Sequence, residues 1–363
     1  MVKRILFLVS FVFYLSSNTL AQSNGKLQIH FMDVGQGDGT LLISPLGETV
    51  LFDNGARGNC DKPLSYLQQL GVTKIDYHIA SHYHTDHIGC TSQVLSEFPL
   101  QKTAYDRGGT YPSSTFDSYV SKVGSKRQTA TKSTVVTLDG SSAKPVRVNF
   151  VALNGNGIAT DNENDLSLVA VVHYGNFEAV IGGDLSGFKS ENYEDIETSV
   201  APDVGQVEVY KVHHHGSRYS SNSNWLNTIK PMIGIISTGN GNTYGHPTIE
   251  CLERLHKAGV KTYWTETGNG ADPEPGYAIV GHNIVVEVAP TATSFSVTYN
   301  DTHVDNYPFW GETPVVVPKY AWSKKSDKYH YTNCEYVKNI SAANLENGDT
   351  PPQGKILHNG CPK

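Results

Sequence analysis

Ser81-His82-Tyr83-His84-Thr85-Asp86-His87 places three imidazoles and a carboxylate within six residues, at the end of the β-rich run Ile75 to Ser81 and the start of a helical pattern running from His87 to Phe98. Residues two apart in extended backbone share a face, so His82 and His84 point the same way. Asp86 and His87 open the helix and can turn back toward them. Imidazole nitrogens with one carboxylate suit zinc, and also accept manganese or iron. Four ligating side chains at one strand-to-helix turn argue against the bland alternative of surface histidines satisfied by solvent.

Two further strand ends carry the same chemistry. Val180-Ile181-Gly182-Gly183-Asp184 is an apolar strand closed by two glycines and a carboxylate, which presents Asp184 where backbone must approach closely and suits a bridging ligand. Val207 to Val212 runs into His213-His214-His215-Gly216-Ser217, and the triplet leaves open which imidazole faces the metals. Alone, either piece reads as a turn after a strand. Joined to the first motif, they predict one metal centre. Asp33 and Asp53 end inner strands and read as carboxylates that orient ligands or pin loops, before direct ligation.

From Lys26 to about Tyr299, short β-rich runs alternate with amphipathic helical ones, which predicts a layered α/β (α+β) domain over 22–300. Strands are expected at 27–34, 40–44, 49–52, 75–81, 146–153, 166–173, 179–182, 207–213 and 233–237. Helices are expected at 63–70, 87–98, 115–123, 223–229 and 248–258. Segment 105–132, rich in Ser, Thr, Gly and Tyr, reads as a surface insertion more than as core. After about Asn300, Pro308, Pro314, Pro318 and a cluster of Lys319, Lys324, Lys325 and Lys328 predict a linker over 301–325 and a small tail over 326–363.

Lys3 and Arg4 precede an apolar run from Ile5 to Leu15, and Thr19-Leu20-Ala21 supplies small residues at a cleavage site, so 1–21 reads as a signal peptide and the protein as exported, periplasmic or secreted. Gln22 in place of cysteine disfavours a lipid anchor, and no later stretch is long and apolar enough for stable membrane insertion. The formal net charge of −7 weighs against a broad footprint on duplex DNA, while leaving room for a local patch. The chain carries five cysteines, at most two internal disulfides. Cys251 lies in a helical pattern as a buried free thiol. Cys60 and Cys90 sit on loops near the metal motifs, as a disulfide or as two buried thiols.

HxHxDH followed by GD and HHGS resembles the metallo-β-lactamase superfamily. Finer motifs resemble the extracellular hydrolase domain of the competence protein ComEC: Phe31-Met32-Asp33-Val34-Gly35-Gln36-Gly37-Asp38, Asp161 to Val169 (DNENDLSLV), His214-His215-Gly216-Ser217 and Tyr244-Gly245-His246-Pro247. The resemblance covers roughly residues 27–290 and implies an αββα sandwich, with a small C-terminal appendage, holding two divalent metals at one edge. Carried across, His82 and His84 hold the first metal, Asp86 and His87 the second, Asp184 bridges, and His215 completes the second site, with His213 or His214 as alternatives. Superfamily members commonly supply a third histidine near 160–170, where this chain has Asn164 and Asp165. That departure implies a weaker first site, or manganese in place of zinc. Asp86 then orients a metal-activated water, His214, Ser217 and His246 meet charge on the phosphoryl group, and Asp33, Asp38, Asp53, Asn164 and Ser167 support ligands or substrate.

The implied activity is a secreted metal-dependent phosphodiesterase, first a nuclease acting on DNA. A phosphorylcholine-type esterase acting on headgroups is the second reading. A lactone or lactam hydrolase and a non-catalytic binding module are kept as rivals, opposed respectively by the missing third histidine and by the complete ligand set. The tail motifs Tyr329 to Cys334 and His358 to Cys361 are similar to the Ada-type zinc module. His330, Cys334, His358 and Cys361 can hold a structural zinc with two imidazoles and two thiolates, or Cys334 and Cys361 can form a disulfide.

Overall fold

A computed structural model describes residues 23–311, 320–331, 335–348 and 351–358. The expected signal peptide over 1–21, Pro314, Pro318, Lys319, Cys334 and Cys361 lie outside the described residues. The described chain divides into two units, one ending at Gly311 and one beginning at Glu312.

In the first unit, alternation along the strands sorts side chains between two faces, and both faces are covered. The strands, in chain order, are β1 (Leu27–Phe31), β2 (Thr40–Ile43), β3 (Thr49–Phe52), β4 (Ile75–Ile79), β5 (Leu100–Asp106), β6 (Arg127–Thr129), β7 (Val135–Leu138), β8 (Val146–Ala152), β9 (Val169–Tyr174), β10 (Phe177–Ile181), β11 (Val209–Lys211), β12 (Ile233–Ile236), β13 (Lys261–Trp264), β14 (Ala278–Val280), β15 (Ile284–Val288), β16 (Ser294–Tyr299) and β17 (His303–Pro308). They form a nine-stranded sheet ordered β17-β16-β15-β1-β2-β3-β4-β5-β6 and an eight-stranded sheet ordered β14-β13-β12-β11-β10-β9-β8-β7. The helices are α1 (Asp61–Gln69), α2 (Thr85–Ile88), α3 (Thr91–Glu97), α4 (Ser114–Val123), α5 (Glu197–Val204), α6 (Ser223–Ile229) and α7 (Ile249–Lys257).

Three apolar clusters define the layers. Leu27, Ile29 and Phe31 of β1 meet Val146, Val148 and Phe150 of β8 in a core between the sheets. Leu41, Ile43 and Leu51 face Leu67, Val94 and Tyr119 beneath α1, α3 and α4. On the far side, Val180, Tyr210 and Trp264 pack with Val200, Trp225 and Leu255 of α5, α6 and α7. The result is the expected αββα sandwich, two sheets inside and helices outside.

The structure corrects several boundaries. Segment 105–132 is not a surface insertion: it contributes the end of β5, α4 and β6, and Phe116 and Tyr119 are buried in the outer core. Tyr119 also donates its hydroxyl to the buried Asp106 at 2.9 Å, and Arg127 pairs with the same carboxylate at 2.6 Å. Its polar composition hides a buried ion pair. The helix expected over 87–98 is two, α2 and α3, broken at Gly89 and Cys90. β17 lies inside the stretch read as linker and pairs antiparallel with β16 along the sheet edge. Helix α5, with Pro202 inside it, was not foreseen. Cys60 and Cys90 are joined in a disulfide, and Cys251 is a buried free thiol. Among the described residues no helix is long and apolar enough to cross a membrane.

The second unit has a four-stranded sheet of Leu345–Gly348, Tyr320–Ser323, Lys328–Tyr331 and Ile356–Leu357, in that order. Within it the rings of His330 and His358 stack with centroids 5.0 Å apart. Two of the four candidate tail ligands therefore stand together.

The burial of α4 predicts that Tyr119→Ala lowers unfolding free energy by about 3–5 kcal/mol, the range for losing a buried aromatic, in urea denaturation. A surface insertion would tolerate the change within about 0.5 kcal/mol.

Candidate metal centre

The candidate ligands sit where parallel strands end. β3 and β4 run parallel in one sheet, β10, β11 and β12 in the other, and the residues after them converge at one edge of the sandwich. Asp53 follows β3, the HxHxDH turn follows β4, Asp184 follows β10, the histidine triplet follows β11, and the loop through His246 follows β12.

Two groups form there. One atom each from Asp86, His87, Asp184 and His215 lies within 4.8 Å of the others, and His82, His84 and Asp184 form a second group that shares the Asp184 carboxylate. His87 Nε2 is 3.2 Å from Asp184 Oδ1, and His215 Nε2 is 3.4 Å from Asp86 Oδ2 and 3.6 Å from Asp184 Oδ1. Ligands about 2.0–2.1 Å from a tetrahedral cation stand about 3.3 Å apart. His87 Nε2, Asp184 Oδ1 and His215 Nε2 are buried with no hydrogen-bond partner among the described residues. Buried polar atoms are ordinarily satisfied, so three such atoms aimed at one point fit a cation there. In the other group His82 Nε2 is 3.0 Å from His84 Nδ1 and 3.9 Å from Asp184 Oδ2.

The electrostatics fit the same ions. Burial opposes protonation of His87, but Asp184 and Asp53 outweigh it and hold the imidazole well above the usual histidine pKa. For His215, burial is likewise outweighed by Asp184 and Asp38, and its pKa rises to about 10. Burial would raise the Asp184 pKa, yet His87, His215 and His214 keep it well below the usual carboxylate range. The anionic cluster thus draws protons to the positions that a cation would take, and metal uptake displaces them.

Orientation comes from a surrounding polar frame. Asp53 accepts from Ser81 N at 2.9 Å and Ser81 Oγ at 2.6 Å, and its other contact, at 2.8 Å, is His87 Nδ1. Asp53 thus touches the candidate ligand His87 from outside the cluster. His215 Nδ1 lies 2.9 Å from Ser237 O and 3.3 Å from Asp38, whose carboxylate takes the buried Lys211 ammonium at 2.8 Å. Glu163 accepts the Tyr83 amide at 2.8 Å, between the two histidines, and is itself gripped by Arg107. Lys211, Arg107 and Glu163 were not foreseen, because their partners lie far away in sequence. Asp33 pins its own loop by accepting from Gly35 N and pairs with Lys62, with no contact to the cluster.

Each member of the triplet has a different fate. His213 turns inward to Glu197 at 2.8 Å. His214 and His215 adopt φ of 52° and 53°, a left-handed turn that costs about 1–3 kcal/mol per residue and swings both rings toward the cavity. His215 therefore joins the cluster, and His214 Nε2 stands 3.7 Å from Asp184 Oδ2. The glycine pair before Asp184 has a steric cause: a Cβ on Gly182 would meet His213 Nε2 at 2.7 Å, and one on Gly183 would meet Ser81 Oγ at 2.5 Å.

A cavity of about 280 Å³ opens onto the cluster, lined by Gln36, His84, Thr85, Asp86, Asn164, Asp184, Tyr193, His214, His215, Tyr244 and His246. Asn164, at the place of the missing third histidine, lines it with its Oδ1 buried and unpartnered, whereas Asp165 accepts from Thr160 and the Glu194 amide. Ser167 accepts the Asp184 amide at 3.0 Å and so positions that carboxylate. Ser217 is not among the residues that line the cavity, and its Oγ accepts the Tyr219 amide within the turn. Burial, reinforced by His215 and His214, lowers the His246 pKa to about 3, so it faces the cavity as a neutral imidazole.

The chain is similar to several known proteins. The chain is 27% identical over 235 residues to Recombination protein 2 of Haemophilus influenzae, a match covering 63% of this chain and 26% of that protein. It is 23% identical over 256 residues to ComE operon protein 3 of Bacillus subtilis, covering 66% and 32%. Competence protein ComA of Neisseria gonorrhoeae is 26% identical over 266 residues, covering 72% and 34%. The chain spans about a quarter to a third of the length of these curated relatives. The expected resemblance to competence proteins is thus found. Similar solved structures include a diphosphatase from the PhnP family, 12% identical with TM-score 0.40 over 73% of this chain and 99% of that one. A metallo-beta-lactamase of Cronobacter sakazakii is 16% identical, with TM-score 0.35 over 50% and 76%.

The bond from Asp53 to His87 predicts that Asp53→Asn weakens zinc binding about 10- to 100-fold, measured by competition with a chromophoric chelator; unchanged affinity would refute the orienting role. A profile of the Metallo-beta-lactamase superfamily matches residues 32–239, more than half of the 363-residue chain and the span that brings these strand ends together; the chain belongs to that superfamily.

Proposed function

We propose that this protein is a metal-dependent phosphodiesterase whose substrate is DNA. The observation that carries the reading is the convergence of His87 Nε2, Asp184 Oδ1 and His215 Nε2, buried and unpartnered, beside a cavity wide enough for a phosphoryl group and its neighbours. His82 and His84 would hold one divalent cation, Asp86, His87 and His215 the other, with Asp184 between them. Zinc suits the imidazole-rich set, and manganese is the alternative for a first group that lacks a third histidine. Such a pair supplies positive charge that acidifies a water toward neutral pH and draws on a phosphoryl oxygen.

The chain's own residues supply the rest. Asp86, at the cavity wall, orients the attacking water. His214 and His246 line the wall beside Asp184, with Nδ1 of each buried and unpartnered. As neutral imidazoles they can donate to the oxygens on which negative charge grows. DNA is favoured over a headgroup because the similar proteins bear names of recombination and competence, processes that handle DNA. Action outside the cytoplasm rests on the N-terminal segment alone.

Purified protein with zinc or manganese is expected to hydrolyse bis-p-nitrophenyl phosphate, to lose that activity to chelator, and to lose it in Asp184→Ala; full activity in that variant contradicts the reading. In a parallel assay DNA is expected to be cut faster than a phosphorylcholine ester, with a β-lactam left intact. The reverse order moves the substrate to headgroups or lactams.

A further inference from the structure

A row of aromatic rings runs into one wall of the cavity, which Tyr193, His214, His246 and Tyr244 line. Tyr219 and Tyr193 pack with centroids 4.7 Å apart, Tyr193 lies 5.9 Å from His214, His214 lies 5.3 Å from His246, and Tyr244 stacks on His246 at 5.8 Å with only 23° between planes. His214 in this row stands 3.7 Å from Asp184, and the row ends in solvent, where Tyr244 is 66% exposed. A large ring this exposed is not held there by core packing.

The loop under Tyr244 is fixed, not loose. The buried Asn242 accepts the amides of Tyr244 at 3.2 Å and His246 at 3.0 Å, and donates to the carbonyls of Gly239 at 3.0 Å and His246 at 2.7 Å. Gly239 in turn donates its amide to Gln36 Oε1 at 3.1 Å, which ties the loop to the cavity floor. The ring is thus offered to solvent on a preorganised support, which lowers the entropy lost when a flat partner settles on it.

The charge around the cleft narrows the partner. Among the described residues no lysine or arginine lines the cavity. A site that tracked the phosphate backbone of a duplex would carry several, since such binding is driven by cations replacing counterions. An aromatic row suits recognition of base faces, which are available only when bases are unpaired.

We infer that Tyr244, stacked on His246, is a base-stacking residue, and that the cleft takes single-stranded nucleic acid with the base next to the scissile phosphate lying on the Tyr244 ring. The inference rests on the phosphodiesterase reading and narrows its substrate. Duplex ends must fray before they enter, because a paired base has no free face to offer.

The test is fluorescence anisotropy of metal-loaded protein with a phosphorothioate-linked tetranucleotide that resists hydrolysis. Tyr244→Ala is expected to weaken binding roughly 5- to 150-fold, the range for losing one stacked base, while Tyr244→Phe stays within about twofold. An oligonucleotide with an abasic site next to the central linkage should bind wild type as weakly as the intact strand binds Tyr244→Ala, and the two losses should not add, since they remove one contact. Affinity should fall only shallowly with salt. Unchanged affinity in Tyr244→Ala, additive losses, a blunt duplex or phosphorylcholine bound as tightly as the single strand, or a steep salt dependence each overturn the inference. Hydrolysis of bis-p-nitrophenyl phosphate by the same preparation separates that failure from failure of the phosphodiesterase reading, which alone predicts it.

Discussion

Carboxylates crowded together out of water need compensating positive charge, and the fold around the candidate centre is organised by that need. Asp38, Asp53 and Asp184 are buried, with Asp86 beside them at the cavity wall. Lys211 answers one charge through Asp38. The remainder is answered by imidazoles, which burial alone would keep neutral and which the carboxylates force to hold protons. An uncompensated ion in such a setting costs several kcal/mol. Divalent cations would satisfy the same carboxylates and the same ring nitrogens at once.

That constraint explains why the support is so far-reaching. The candidate ligands come from two sheets and are held by partners distant in sequence: His87 by Asp53, His215 by Ser237 and Asp38, the His82 to His84 backbone by Glu163 and Arg107. Rigid strands set the directions, and the polar frame sets the ring rotations. The left-handed turn at His214 and His215 is strain placed at the point where two consecutive side chains must face the same cavity.

What the sequence makes legible is local. Strand ends with imidazoles and carboxylates at short spacing announce the cluster, and the glycines before Asp184 announce close backbone approach. The sequence put His215 first in the histidine triplet but left the register open, because it depends on positive φ at two consecutive residues, a conformation uncommon outside glycine. Lys211 and the Arg107 to Glu163 pair were hidden for another reason: lone charged residues read as solvated until the fold brings their partners in. Segment 105–132 misled because its polar composition conceals Asp106, Tyr119 and Arg127 bonded inside the outer layer.

The central claim is that residues from separate strand ends surround two cations. Anomalous X-ray scattering at the zinc edge, from crystals of zinc-loaded protein, tests it most directly. The account predicts two peaks, one among Asp86, His87, Asp184 and His215 and one among His82, His84 and Asp184. No peak at these positions, or zinc bound only elsewhere on the chain, would contradict it.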